Sequence, residues 1–205
     1  GVFENQSNHY IEIADNDLLD MNDSFTISAW VKPARYPISG LHSILSKDNN
    51  YEFHLNSSGQ IFWWWQDKNS NGDIKTRTLT SEASIPKDKW SFITIRYDSE
   101  RNDNKSLASI FINGAESGEI LINANRELVN NTKPLQIGQD QNFSGRAFDG
   151  AIDEVQIFDK RLTQSEIEKL MAQRHPCSDS PILQCFTDRF DNGDLSDLWV
   201  TSTSK

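Results

Sequence analysis

Cysteine is almost missing from this chain: Cys177 and Cys185 are the two in 205 residues. No CxxC spacing occurs, so thiolate metal sites and dithiol redox chemistry have no sequence support. Histidine is scarce as well. His9, His42, His54 and His175 are scattered, without HExxH or His-x-His spacing, and no Gly-x-Ser-x-Gly elbow occurs. Each histidine is expected at the surface or an interface. No run reaches the roughly 18 apolar residues of a membrane span. No basic start leads into an apolar stretch, so the secretory signal pattern is not seen either. Basic residues are outnumbered, 20 against 30 acidic, for a net charge of −10. That balance disfavours nucleic acid and anionic membrane, which bind clustered Lys and Arg. An acidic surface suits divalent cations and uncharged ligands.

What is present reads mostly as short strands. "SFTISAWVKP" (24–33) alternates, with Phe25, Ile27, Ala29 and Val31 on one face and Thr26, Ser28 and Trp30 on the other. "YEFHLNSSG", "QIFWWWQD", "KTRTLTS", "KWSFITIRYD" and "ASIFINGAESG" repeat the theme, bounded by Asn, Asp, Gly and Ser clusters. Many short strands without intervening helices predict an all-β sandwich of antiparallel sheets. One segment departs from it. In "LTQSEIEKLMAQRHP" (162–176), Thr163 and Glu166 make a capping box, Ile167, Leu170 and Met171 share a stripe, and Pro176 stops the helix. A single short C-terminal helix should pack on the sandwich as a lid.

Three consecutive tryptophans stand in "QIFWWWQD". Strand parity puts Ile61, Trp63 and Trp65 on one face and Phe62, Trp64 and Gln66 on the other. The first set continues the apolar parity and is assigned to the core. Phe62 and Trp64 are then outer-face aromatics. Either a loop covers them, residues 66–75 folding back, or they form a platform on which sugar rings stack.

"FDGAIDEVQIFDKRLTQSEIEKL" (148–170) resembles the closing segment of LamG-like jelly-roll domains of the concanavalin A-like lectin/glucanase superfamily. "HYIEIADNDLLDMNDSFTISAWVKP" (9–33) resembles their opening segment, and "DKWSFITIRYD" and "FINGAESG" their central strands. The resemblance covers residues 1–175 and implies a two-sheet antiparallel jelly-roll sandwich. Residues 176–205 read as a linker and the truncated start of a following domain. The tail "FTDRFDNGDLSDLW" resembles the opening of a second concanavalin-like domain, as in large bacterial surface proteins, including biogenesis proteins of the mannose-sensitive haemagglutinin pilus. The abrupt ends at Gly1 and Lys205 are those expected of a fragment.

The resemblance also implies Ca²⁺. Superfamily domains hold a structural ion near the last strands, which points to Asp153 in "GAIDEV", helped by carbonyls near Asn5 to Asn8. Alternatively Asp153 accepts turn N–H groups. "SKDNNYEF" (46–53) and "IGQDQNFSG" (137–145) resemble the Ca²⁺ loops of pentraxins, matching Asp48 and Asn49 to one run and Asp140, Gln141 and Asn142 to the other. The departure is Asn142, where an acid is expected. Such oxygen-rich runs suit a hard cation, but they also make ordinary turns.

Superfamily glucanases carry alternating acids on one strand, Glu-x-Asp-x-(x-)Glu, and no strand here has that pattern. The expectation is therefore a non-catalytic, Ca²⁺-stabilised binding module of a secreted or cell-surface adhesive protein, taking a glycan or surface-protein ligand. The other readings are a structural spacer, or a targeting module of a larger hydrolase. An extracellular setting fits a short disulfide between Cys177 and Cys185, against two unrelated thiols.

Overall fold

Period-two alternation builds the sandwich. The computed structural model describes residues 1–4, 9–99, 105–122 and 126–173. Its strands are β1 (Val2–Phe3), β2 (Ile11–Ile13), β3 (Phe25–Pro33), β4 (Leu41–Lys47), β5 (Tyr51–Asn56), β6 (Gln60–Lys68), β7 (Ile74–Ser84), β8 (Ser91–Asp98), β9 (Ser106–Ile112), β10 (Ala115–Ile122), β11 (Glu127–Leu128), β12 (Leu135–Ile137) and β13 (Gly150–Phe158). One helix follows, α1 (Gln164–Gln173). The first sheet runs β1-β13-β3-β8-β9-β10, and the second β11-β6-β5-β4-β12-β2, with β7 also paired to β6. All ladders are antiparallel, giving the expected jelly-roll sandwich with one short helix.

Phe25, Ile27, Ala29 and Val31 of β3 share one core with Tyr51, Phe53 and Leu55 of β5 and Ile61, Trp63 and Trp65 of β6. Trp63 and Trp65 are fully buried, their rings 4.4 Å apart, and Phe25 meets Trp63 edge-on at 5.8 Å. Parity read along "QIFWWWQD" is thus the register of the fold.

The other face of β3 is buried too, because the chain after β13 lies across it. Thr26 Oγ1 donates to Lys160 O (2.9 Å) and accepts from Leu162 N–H (2.9 Å). Trp30, Phe92, Phe111, Leu162 and Ile167 form a second apolar cluster, with Leu170 and Met171 against it. Helix α1 starts on the capping box read from the sequence. Thr163 N–H donates to Glu166 Oε2 (2.7 Å), and Glu166 N–H donates to Thr163 Oγ1 (3.3 Å). The helix end near Pro176, the boundary at 175, Cys177, Cys185 and the tail lie outside the described residues.

With the helix on the first sheet, the outer face of the second carries Phe62, Trp64 and Gln66 of β6. Its border is set at Gly138, in the left-handed region (φ +84°), where an added Cβ would lie 2.4 Å from the Phe3 ring. Gly138 N–H donates to Ile44 O (3.0 Å), and Phe148 N–H donates to Gly138 O (2.8 Å). Residues 139–147 therefore leave and rejoin the sandwich at one point beside β4.

Candidate binding site on the outer face of the second sheet

Strand β6 alternates buried Ile61, Trp63, Trp65 and Asp67 with half-buried Phe62, Trp64 and Gln66. Cross-strand pairing carries the outward set sideways. Thr78, Trp64, Glu52, Ser46, Gln136 and Glu12 are successive partners across β7, β6, β5, β4, β12 and β2. Thr80, Phe62, His54 and Ser43 make the adjoining row. The stretch 66–75 does not fold over these rings. It stays in the β6–β7 hairpin, where Asn69 Oδ1 accepts from Asn71 N–H (3.0 Å) and Asp73 N–H (2.8 Å). Phe62 and Trp64 stand half-buried beside Thr76, Thr78 and Thr80.

At the end of β4 and β5 the two oxygen-rich runs converge. Asn142 Nδ2 donates to Asp48 Oδ2, and Asn142 N–H donates to Asp140 Oδ1 (2.9 Å). Asn49 adopts φ +70° in the β4–β5 turn, and its N–H donates to Glu52 Oε1 (3.2 Å). Gln141 turns its side chain away, Nε2 donating to Pro134 O. Glu52, His54 and Asp140 bring one ligand atom each within 4.8 Å of one another, all three buried. Two cations join them. Lys133 Nζ donates to Asp48 Oδ2, and Arg146 Nη1 lies 2.7 Å from Asp140 Oδ2 and 4.0 Å from Glu52 Oε2. The Arg146 guanidinium rests over the Phe143 ring at 3.9 Å.

The turn is anchored from below. Buried Lys47 Nζ binds Asp15 Oδ1 (2.6 Å), Asp20 Oδ1 (3.2 Å) and the carbonyls of Asn131 (3.2 Å) and Lys133 (2.9 Å). The Asn50 amide bridges the main chain of Met21 and Val129. Three loops are thereby fixed to one another beside Asp48.

Burial pushes the Glu52 carboxyl up to about 8, and the nearby Asp140 and Asp48 charges add to it. Burial holds His54 down at about 3, with Arg146 close by. Both shifts favour the uncharged forms, and the two side chains meet at 3.2 Å. Asp48 and Asp140 are the carboxylates expected to hold Ca²⁺, but each is already paired with a cation, Lys133 and Arg146, and Asn142 turns its amide nitrogen to Asp48.

Asp153 lies elsewhere, on β13 opposite Trp30, where a bulge follows it and Glu154 adopts φ +50°. Its Oδ1 accepts Glu154 N–H (3.0 Å), while residues 5–8 are outside the described set. The expectation of surface histidines fails at two positions. His42 and His54 are buried, His54 between Ser43 and Phe62 with the Arg146 charge nearby. Sequence reading also missed Glu52, Lys133 and Arg146. The available signal was Glu52-x-His54, whose spacing on a strand puts both side chains on one face.

Comparison places this geometry among known folds. A family model described as the concanavalin A-like lectin/glucanases superfamily, of laminin G type, matches residues 5–168. No curated protein matches the chain. The binding domain of Paraclostridial Mosquitocidal Protein 1 is similar, with TM-score 0.60 and 19% identity over 83% of this chain and 42% of that one. The chain thus spans under half of that toxin domain. A heptameric SAP-like pentraxin from Limulus polyphemus gives TM-score 0.56 and 16% identity, covering 83% and 80%. Domain 4 of AbnA, an extracellular arabinanase from Geobacillus stearothermophilus solved with arabinotriose, gives TM-score 0.57 and 20% identity, covering 81% and 74%.

Proposed function

The chain belongs to the laminin G-type family of the concanavalin A-like lectin/glucanase superfamily, and from that premise we propose that it is a non-catalytic, glycan-binding module of an extracellular protein. The observation that carries the reading is Trp64, half-buried on the outer face and paired across the ladder with Glu52. Phe62 and Trp64 supply flat apolar faces for sugar C–H groups, and Thr76, Thr78 and Thr80 supply hydroxyls at the same edge. The arabinotriose complex of a similar domain supports sugar as the ligand class.

Non-catalysis is supported by burial. Glu52 and Asp140 have side chains 6% and 0% exposed, and Arg146 binds the latter. A glycosidic bond cannot reach between them, as glycoside hydrolysis requires. A Ca²⁺ ion at Asp48, Asn49, Asp140 and Asn142 would have to displace Lys133 and Arg146 from the carboxylates, Gln141 being turned away, and Asp153 is a second position. The ion would join the β4–β5 turn to residues 139–147 and steady the rim of the platform. Among the described residues no helix is long and apolar enough to cross a membrane. The parent is read as a secreted or surface adhesive protein, in which the module serves attachment.

A glycan array probed with wild-type protein and Trp64→Ala, each with Ca²⁺ and with EDTA, tests this. Wild type should bind a defined sugar class and the variant should not. No glycan signal from folded wild type in either buffer would leave the spacer reading in its place.

A further inference from the structure

We propose that residues 139–147 form a second wall of the glycan platform, with Phe143 and Arg146 holding the sugar next to the one on Trp64, so that the ligand is a chain of linked neutral sugars. The inference rests on reading Trp64 as a sugar platform. Exposure falls in steps across the outer face. Thr78 and Thr80 of β7 are exposed, Phe62 and Trp64 of β6 are half-buried, and His54 of β5 and Ser46 of β4 are fully buried. All six point the same way, since strand partners share a face. The cover over β4 and β5 is the segment 139–147, which leaves and rejoins the sandwich beside β4 and sets Arg146 Nη1 4.0 Å from Glu52 Oε2. Because Phe62 and Trp64 keep part of their surface, that cover ends at β6. Its edge stands as a wall along the Trp64 row.

The wall carries sugar-binding chemistry of its own. Phe143 is 52% exposed, and the Arg146 guanidinium rests on one face of its ring at 3.9 Å. The other face is left for sugar C–H groups. A tight turn fixes the pair, Arg146 N–H donating to Phe143 O (3.0 Å). Arg146 also offers donors. Its Nη1 is held by Asp140 at 2.7 Å, while Nε and Nη2 make no hydrogen bond among the described residues. The side chain is 24% exposed, so that free edge can donate to neighbouring hydroxyls of one sugar. Glu52, next to Arg146, is the strand partner of Trp64, so the two sugar positions adjoin. Charge selects the sugar. The cations beside this face are already paired among the described residues, Arg146 with Asp140, Lys133 with Asp48 and Lys68 with Glu127, and the chain carries −10. A uronate or sulfated sugar would meet acids and paired cations, whereas a neutral one meets rings and donors.

Calorimetric titration of the full chain in EDTA, where Arg146 keeps Asp140 as its partner, tests this. The probes are the mono-, di- and trisaccharides of arabinose, xylose, glucose and galactose, with the galacturonate series as the acidic set. Wild type is compared with Phe143→Ala, Arg146→Lys and Trp64→Ala, each checked by a thermal melt. In a neutral series the disaccharide should bind wild type about tenfold or more tightly than the monosaccharide, a difference of about 1.4 kcal/mol. Phe143→Ala and Arg146→Lys should lose that gain and keep the monosaccharide affinity, and Trp64→Ala should lose both. Should Arg146→Lys not fold, Phe143→Ala alone decides. A disaccharide that binds no better than the monosaccharide, or a gain that survives Phe143→Ala, overturns the second wall and leaves the Trp64 platform standing. Tighter binding of the galacturonate series than of every neutral one overturns the neutral class. No binding by any probe overturns the glycan reading, and the inference with it.

Discussion

Trp64 and Glu52 face each other across the β5–β6 ladder. One is a half-buried ring, and the other a buried carboxyl whose pKa burial raises. The aromatic platform and the carboxylate loops are therefore neighbouring parts of one face. A ligand on Trp64 would lie beside the rim that Asp48 and Asp140 build.

Truncating the three tryptophans should separate packing from binding. Trp63→Ala and Trp65→Ala remove fully buried rings and should each cost about 3–5 kcal/mol. Trp64→Ala should cost far less. Denaturant melts measure all three. A Trp64 variant more destabilised than the others would contradict the register.

Asp67 is a second buried anchor. Its side chain is 0% exposed at the end of β6 and is bound by Arg126 and by Arg77 Nε at 2.8 Å. Asp67→Ala leaves two cations without their carboxylate and should cost about 3–5 kcal/mol. Urea unfolding checks the loss. A cost below about 1 kcal/mol would mean that the arginines find water or other partners.

Helix docking should weaken in acid. The Thr163 backbone N–H holds the Glu166 carboxyl below its ordinary range, and the Thr163 hydroxyl assists. A depressed folded value means that the contribution is present above the unfolded pKa and is lost as pH falls through the folded one. Amide protection factors along α1 should therefore drop below the usual carboxylate range. Glu166→Gln should show lower protection near neutrality and little of that dependence. An unchanged profile in the variant would remove the capping box as its source.

Ca²⁺ should raise the melting temperature, since an ion at 100 times its Kd stabilises by about 2.7 kcal/mol. Asp48→Asn should abolish most of the increase and Asp153→Ala should spare most of it, because the larger donor set surrounds Asp48. Melts with Ca²⁺ and with EDTA decide this. The opposite ranking would move the ion to β13.

The sandwich was legible because alternation is local. The parity of Phe25 to Val31 and of Ile61 to Trp65 follows from the strand period alone, and Thr163 with Glu166 marks the helix start by spacing. The site was legible only in part. Asp48, Asp140 and Asn142 drew attention as oxygen-rich runs, and the fold brings them together. Lys133, Arg146 and His54 did not, because their meaning depends on loops that meet only in the folded chain. The burial of His54 depends likewise on its neighbours from β4 and β6.

The most direct test of the account is a titration of the glycan selected by the array, followed through the tryptophan indole N–H resonances. A saturable shift of Trp64 is expected, with Trp63 and Trp65 nearly still in the core. Saturable glycan binding that leaves the Trp64 resonance unmoved would contradict it.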